Sequence, residues 1–338
     1  MEIGALAGDA SEARFAAYVE SLAAVLGHAD RIEPLTEYCT GLLLRGERKS
    51  VEPIAAVVAP SRTASKHQSL LHFVGESLWS DRALLAKVRE LVLPAIEARG
   101  KIEAWIVDDT GFAKKGVHSV GVARQYRGRL GKTDNCQVAV SLSIANPSAS
   151  LPIAYRLYLP EDWANDEARR EKARVPDELD FQTKPEIALA QLEAAIDARV
   201  ARGIVLADAG YGSDGAFRAG VTTLGLTYAV GVQSTISLWP SGMEPLPPRP
   251  GSGRGRKPSR LRRDAAHQPV SAKTLAMGRP QAAWRTVSWR EGSNEALSSR
   301  FAALRVRPAS GDEKLSTPRP FEWFLVEWPE GEREPTKY

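Results

Sequence analysis

Two aspartates in this sequence stand where a divalent cation could use them. Asp109 lies in Ala104-Trp-Ile-Val-Asp-Asp-Thr-Gly111, and Asp208 lies in Ile204-Val-Leu-Ala-Asp-Ala-Gly-Tyr-Gly212. Each follows a short apolar run of strand type and precedes residues of turn type. A carboxylate at a strand end is exposed at the sheet edge while sheet pairing holds its backbone. Hard ions such as Mg2+ take oxygen ligands at fixed positions. A pair of ions roughly 3.5–4 Å apart stabilises both the attacking and the leaving oxygen of a phosphodiester displacement. Adjacent strands lie about 4.8 Å apart, so two strand-end aspartates can share an ion although 99 positions separate them in the chain. Singly, either aspartate is an ordinary turn residue. Asp108 competes with Asp109 for the first ligand role, and strand alternation puts the two on opposite faces. Asp109 is preferred because it directly precedes Thr110-Gly111, where the chain is expected to turn.

The elements that must position this pair follow from periodicity. Residues 1–100 read as a helical N-terminal domain. Phe15, Val19, Leu22 and Leu26 recur at helical spacing, and Ser80-Asp81 opens a second helix carrying Leu84, Leu85, Val88, Leu91 and Val92. Gly100 is expected to close it. Strands are predicted over 104–107, 137–145 and 151–159, with a turn at Asn146-Pro147-Ser148. Thr183-Lys-Pro-Glu186 is a capping box that starts a helix from about residue 185 to 201. Strands then follow at 204–207 and 227–232. Three strands, helix, strand, helix, strand is the order of a ribonuclease-H-like mixed sheet, in which the first and fourth strands are neighbours. The fold class expected is therefore α/β, with domains at 1–100 (helical), 101–232 (first part of the core) and 233–338 (a β-rich insertion and the chain end).

Composition narrows the function classes. With 43% apolar residues the chain can bury a full core, and 25% charged residues argue against global disorder. A net charge of +4 and a pI near 9.0 permit a nucleic-acid partner without requiring one. Lys114, Lys115, Arg124, Arg127, Arg129 and Lys132 follow the first aspartate in a glycine-spaced stretch that could hold a DNA strand. Arg249, Arg254, Arg256, Lys257, Arg260, Arg262 and Arg263 fall within fifteen residues with no intervening acid, a pattern suited to following phosphates. A solvated surface is the competing reading of both. Tyr126 and Trp163 could stack on an unpaired base or pack at the sheet edge, and His118 could assist a proton transfer, a structural hydrogen bond being the preferred reading. Cys39 and Cys136 match no disulfide or metal spacing, and the five histidines form no zinc pattern. No Gly-x-Ser-x-Gly motif supports a serine hydrolase, and the glycines at 251–255 lack the strand-to-helix context of a phosphate loop. An aspartyl-nucleophile phosphatase wants Asp-x-Asp, which is absent. With no long apolar run and no signal peptide, a cytoplasmic protein without membrane contact is expected.

Longer motifs carry a specific likeness. The stretch from Asp108 through Lys114-Lys-Gly-Val-His-Ser to Tyr126, then Asp134 to Leu142, resembles transposases of insertion-sequence family 701, related to the insertion-sequence-four group. So do Leu157-Tyr-Leu-Pro-Glu-Asp-Trp163, Phe181-Gln-Thr-Lys-Pro-Glu186 and Leu206-Ala-Asp-Ala-Gly-Tyr-Gly212. The resemblance implies a DDE-type enzyme that cuts and rejoins double-stranded DNA at transposon ends and target. Asp109 and Asp208 would hold its catalytic ions, two Mg2+ (or Mn2+) in the complete enzyme. A homodimer on DNA is a further expectation. The third acid implied is a glutamate on a helix beyond Tyr338, and Glu327, in an apparent strand, is not assigned to that role. The expectation is thus a C-terminally truncated transposase, inactive or impaired alone, with a non-catalytic DNA-binding remnant as the alternative.

Overall fold

A computed structural model describes residues 2–128, 131–250, 258–291 and 296–338. The chain divides into two compact units, Met1–Glu103 with Ser143–Tyr155, and Ala104–Leu142 with Arg156–Tyr338.

The first unit holds α1 (Glu2–Ala23), α2 (Ile32–Leu43), α3 (Val51–Val58), α4 (Thr63–Gly75) and α5 (Asp81–Glu97). The stripe read from sequence is its core. Val19, Leu22 and Leu26 cluster with Leu35 and Phe73, and Phe15, Leu84, Val88 and Leu91 pack against them. Ser80 caps α5, its Oγ accepting from the Ala83 amide at 3.1 Å. Asn146 donates to the carbonyls of Ile96 at 2.9 Å and Gly100 at 2.8 Å. One amide side chain therefore satisfies two carbonyls at the end of α5 and ties a strand turn to them.

The second unit carries most of a six-stranded sheet built from β1 (Ala104–Ala113), β2 (Ala123–Arg127), β3 (Lys132–Asn146), β4 (Ala149–Leu157), β5 (Ile204–Ala207) and β6 (Tyr228–Val230). Short helices α6 (Glu161–Ala164) and α7 (Glu167–Lys172) precede α8 (Lys184–Asp197), while α9 (Ala209–Gly212) and α10 (Gly215–Thr223) connect β5 to β6. The sheet order is β2-β3-β1-β5-β6, with β4 also pairing β3. β1 pairs β5 and β5 pairs β6 in parallel. Setting aside the added β2, this is a ribonuclease-H-like mixed sheet. The α8 crossover is what makes a parallel return possible. Its N-terminus has the predicted capping box, with the Thr183 amide donating to Glu186 at 2.8 Å. It ends at Asp197, short of the expected residue 201, and Arg199 follows in the left-handed region, φ 57°.

A second sheet, ordered β11-β10-β7-β8 with β9 on β10, also lies in the second unit. Its members are β7 (Ser237–Trp239), β8 (Val270–Ser271), β9 (Arg285–Glu291), β10 (Ala296–Pro308) and β11 (Glu322–Trp328), with α11 (Ala272–Met277) against them. Leu304, Val306, Phe324 and Val326 face Ala272 and Ala276 of α11, the alternate-residue pattern of a sheet covered on one side. No helix among the described residues is long and apolar enough to cross a membrane.

One expectation fails. Asp108–Gly111 is not a turn, because β1 continues to Ala113. The extension rests on β3. Lys114 N donates to Asn135 O at 3.0 Å and Ser141 Oγ to Asp108 O at 3.2 Å, so the strand stays paired on that edge after β5 has ended.

Trp105 is fully buried, and its Nε1 donates to Ala201 O at 2.9 Å. Trp105→Ala is expected to cost about 3–5 kcal/mol of stability, the range for emptying a large aromatic site. Urea unfolding of both proteins measures it, and a loss below about 1 kcal/mol would remove Trp105 as the anchor of β1.

Candidate metal centre

The β1–β5 ladder sets the level of the acids. Ala104 faces Ile204, Trp105 faces Val205 and Ile106 faces Leu206, which brings Asp108 and Asp109 beside the point where Asp208 leaves β5. Alternation then separates the neighbours. Asp109 lies on the face of buried Trp105 and Val107 and is half-buried, whereas Asp108 is exposed. The Asp108 carboxylate accepts from the Asp109 amide at 2.7 Å.

Asp208 is the N-cap of α9, with its Oδ1 accepting from the Gly210 amide at 2.9 Å. That cap turns the chain sharply and aims Tyr211 back at β1. Tyr211 is 2% exposed, and its hydroxyl donates to Asp109 Oδ1. The other oxygen, Asp109 Oδ2, accepts from Lys184 Nζ at 2.5 Å. Burial pushes the Tyr211 phenol far above the usual tyrosine range. The Asp109 charge and hydrogen bond push it further, and Asp208 and Asp108 add to the effect. The hydroxyl that holds Asp109 thus stays protonated.

Glycine is required once in this turn. A Cβ on Gly212 would lie 2.0 Å from Gly231 O and 2.8 Å from Val230 Cγ2, so only hydrogen lets α9 close against the end of β6. Arg218, 6% exposed, donates from Nη1 to Gly212 O at 2.6 Å and from Nε to Glu322 Oε2 at 3.0 Å.

Among the described residues no group of three or more His, Cys, Asp or Glu comes together as a metal cage. Lys184 and Tyr211 were not singled out from sequence, although both lie in motifs that were. Lys184 was read as part of a capping box and Tyr211 as part of a turn.

The basic residues separate into several kinds. Lys115, Arg124, Lys132 and Arg260 are exposed, and Lys114 is half-buried. Arg127 is the last residue of β2. Arg129, Arg254, Arg256 and Lys257 lie outside the described residues. Arg263 is structural, pairing with Asp312, which is buried, and with Glu313 at 3.6 Å. Arg262 donates to Pro247 O at 3.0 Å. Tyr126 is 64% exposed. Trp163 is buried, its indole donating to Val122 O at 2.9 Å with Arg169 3.6 Å over the ring, so it packs rather than stacks on a ligand. His118 is exposed.

A ribonuclease-H-like sheet with carboxylates at its first and fourth core strands is the frame of a phosphodiester-processing protein. The chain belongs to the DDE superfamily endonucleases, whose family pattern matches residues 21–296. It is also 33% identical over 189 residues to the "Probable transposase for insertion sequence element IS701" of Microchaete diplosiphon. That match covers 56% of this chain and 45% of the relative, so the chain spans about half of the relative's length.

The Tyr211 phenol supplies a pH test. A tyrosine whose folded pKa is raised contributes stability that is complete below its unfolded value of about 10 and is lost as pH rises beyond it. In chelator-treated protein, the unfolding midpoint of the wild type should therefore fall more steeply between about pH 9 and 11 than that of Tyr211→Phe. At pH 7 the same substitution should cost about 1–3 kcal/mol. Parallel midpoint-versus-pH curves for the two proteins would contradict the assignment.

Proposed function

We propose that this chain is the DNA-cleaving and strand-joining region of an insertion-sequence transposase, with Asp109 and Asp208 as its two described metal ligands. The observation that carries this is the hold on Asp109, in β1 beside parallel β5: its carboxylate accepts from the buried Tyr211 hydroxyl and from the Lys184 ammonium, and the turn that Asp208 caps delivers Tyr211. Family membership and the transposase relative support the same reading.

The donor set fits a hard divalent cation, Mg2+ or Mn2+. It offers carboxylate oxygens rather than sulfur or imidazole, and the ammonium on Asp109 marks a position that favours positive charge. When bound, such ions supply Lewis-acid polarisation of a phosphodiester and a more acidic water. The chain's own residues do the rest. Tyr211 fixes one oxygen of Asp109 and cannot readily become a competing anion. The cap hydrogen bond from Gly210 orients Asp208. Water and then a DNA 3′ hydroxyl serve as nucleophiles in successive in-line displacements, and no side chain need be covalently attached. In this proposal exposed Lys115, Arg124, Lys132 and Arg260, with half-buried Lys114, neutralise phosphates, and Arg127 is added from its place in the sequence. Arg254, Arg256 and Lys257 join them in this proposal on sequence grounds alone.

A second reading, DNA binding without cleavage, draws on one observation: among the described residues no group of three or more His, Cys, Asp or Glu could hold a metal ion. One assay separates the two. The chain is incubated with DNA spanning its own element and flanks. The first reading expects Mg2+-dependent nicks at the element ends, abolished by EDTA. Asp109→Asn and Asp208→Asn should each reduce the rate at least about hundredfold, or about 2.7 kcal/mol of barrier. Retention of DNA without nicks in Mg2+ or Mn2+ selects the second reading. No salt-sensitive retention of DNA at all defeats both.

A further inference from the structure

We infer that Lys184 is a built-in counter-cation for Asp109, whose ammonium occupies the carboxylate in the metal-free protein and must be displaced for a divalent ion to load. This rests on the proposed metal role of Asp109.

The position of Lys184 is unusual for its charge. It is the first residue of α8, directly after the N-cap Thr183. A helix N-terminus carries partial positive charge and favours acids, and a cation there is disfavoured by about 0.3–1 kcal/mol. Glu186 in the same turn follows that preference, and its capping hydrogen bonds with Thr183 hold its carboxyl below the usual range. Pro185 and the capping box fix the backbone on which Lys184 sits. A local rule broken on a rigid platform points to a role outside the helix. The reason lies across the sheet, where Nζ reaches Asp109 Oδ2 at 2.5 Å and stands 5.6 Å from the centre of the Tyr158 ring.

The two candidate ligands differ in how they are held. Asp109 has a donor on each oxygen, Tyr211 on one and Lys184 on the other. The hydrogen bond to the Asp208 side chain among the described residues comes from its own turn, at Gly210 N. An ammonium and a divalent ion on one carboxylate oxygen would repel each other, so ion loading and the Lys184–Asp109 pair are mutually exclusive. Lys184 therefore lowers the ion affinity of the empty site while holding the Asp109 carboxylate in one orientation. It is a positioning residue rather than a catalytic one.

The test uses Mn2+ alone as the probe. Its free concentration is followed by electron paramagnetic resonance as the full chain is titrated, without DNA and without any activity readout. Lys184→Met and Lys184→Gln, each checked for wild-type circular dichroism, should bind Mn2+ about three- to tenfold more tightly than wild type, the effect of removing a half-exposed competing charge. Lys184→Arg, which keeps the cation, should stay within about twofold of wild type. Equal or weaker binding by both neutral variants, with wild-type binding intact, would overturn the inference and leave the metal site standing. If Asp109→Asn binds Mn2+ as the wild type does, or if no variant binds it, the metal site itself is lost and the inference goes with it.

Discussion

The parallel pairing of β1 with β5 is the constraint on which everything else in the second unit rests. A shift of one residue in a strand's register moves every side chain to the opposite face. Here such a slip would bury an aspartate and expose Trp105. The register Trp105 opposite Val205 is secured because both are completely buried and Trp105 is tied to Ala201 O. Locking apolar residues two and four positions before Asp109 fixes where Asp109 must emerge. Long-range geometry at the acidic rim is thus inherited from hydrophobic packing a few residues away.

Around that rim the electrostatics are arranged rather than incidental. The Asp109 carboxylate takes its two partners from separate elements: a hydroxyl from α9 and an ammonium from α8. Burying a phenol against carboxylates guarantees that it donates and does not accept. The sharp cap at Asp208 serves two purposes, since it ends β5 and also turns the chain that delivers Tyr211. Gly212 permits that turn because nothing larger fits beneath Gly231 O.

What could be read from the residues alone was what is written locally. The apolar run Ile204–Ala207, the alternation through Val138–Ile144 and the Thr183–Glu186 capping box each report their own backbone, and together they gave the strand order. The extent of β1 was hidden because Asp108-Asp-Thr-Gly111 is poor strand sequence. It is extended only because β3, more than twenty positions later, supplies hydrogen bonds along that edge. β2, rich in arginine and flanked by glycines, was invisible for the same reason and exists through five pairings with β3. Lys184 and Tyr211 were legible as capping and turn residues, while their contacts with Asp109 cross 75 and 102 positions. The basic stretch near residue 260 shows the converse error. Arg263 looks like a phosphate ligand by composition, yet it neutralises buried Asp312.

Arg218 has a mechanical meaning beyond its ion pair. Its guanidinium spans from the carbonyl of Gly212, at the end of the turn that begins with Asp208, to Glu322 at the start of β11. Because it is nearly sealed from solvent, water cannot easily substitute for either bond. One buried guanidinium thus pins the second sheet to the turn that follows Asp208, so the place of that turn is set from β11 as well as from β5.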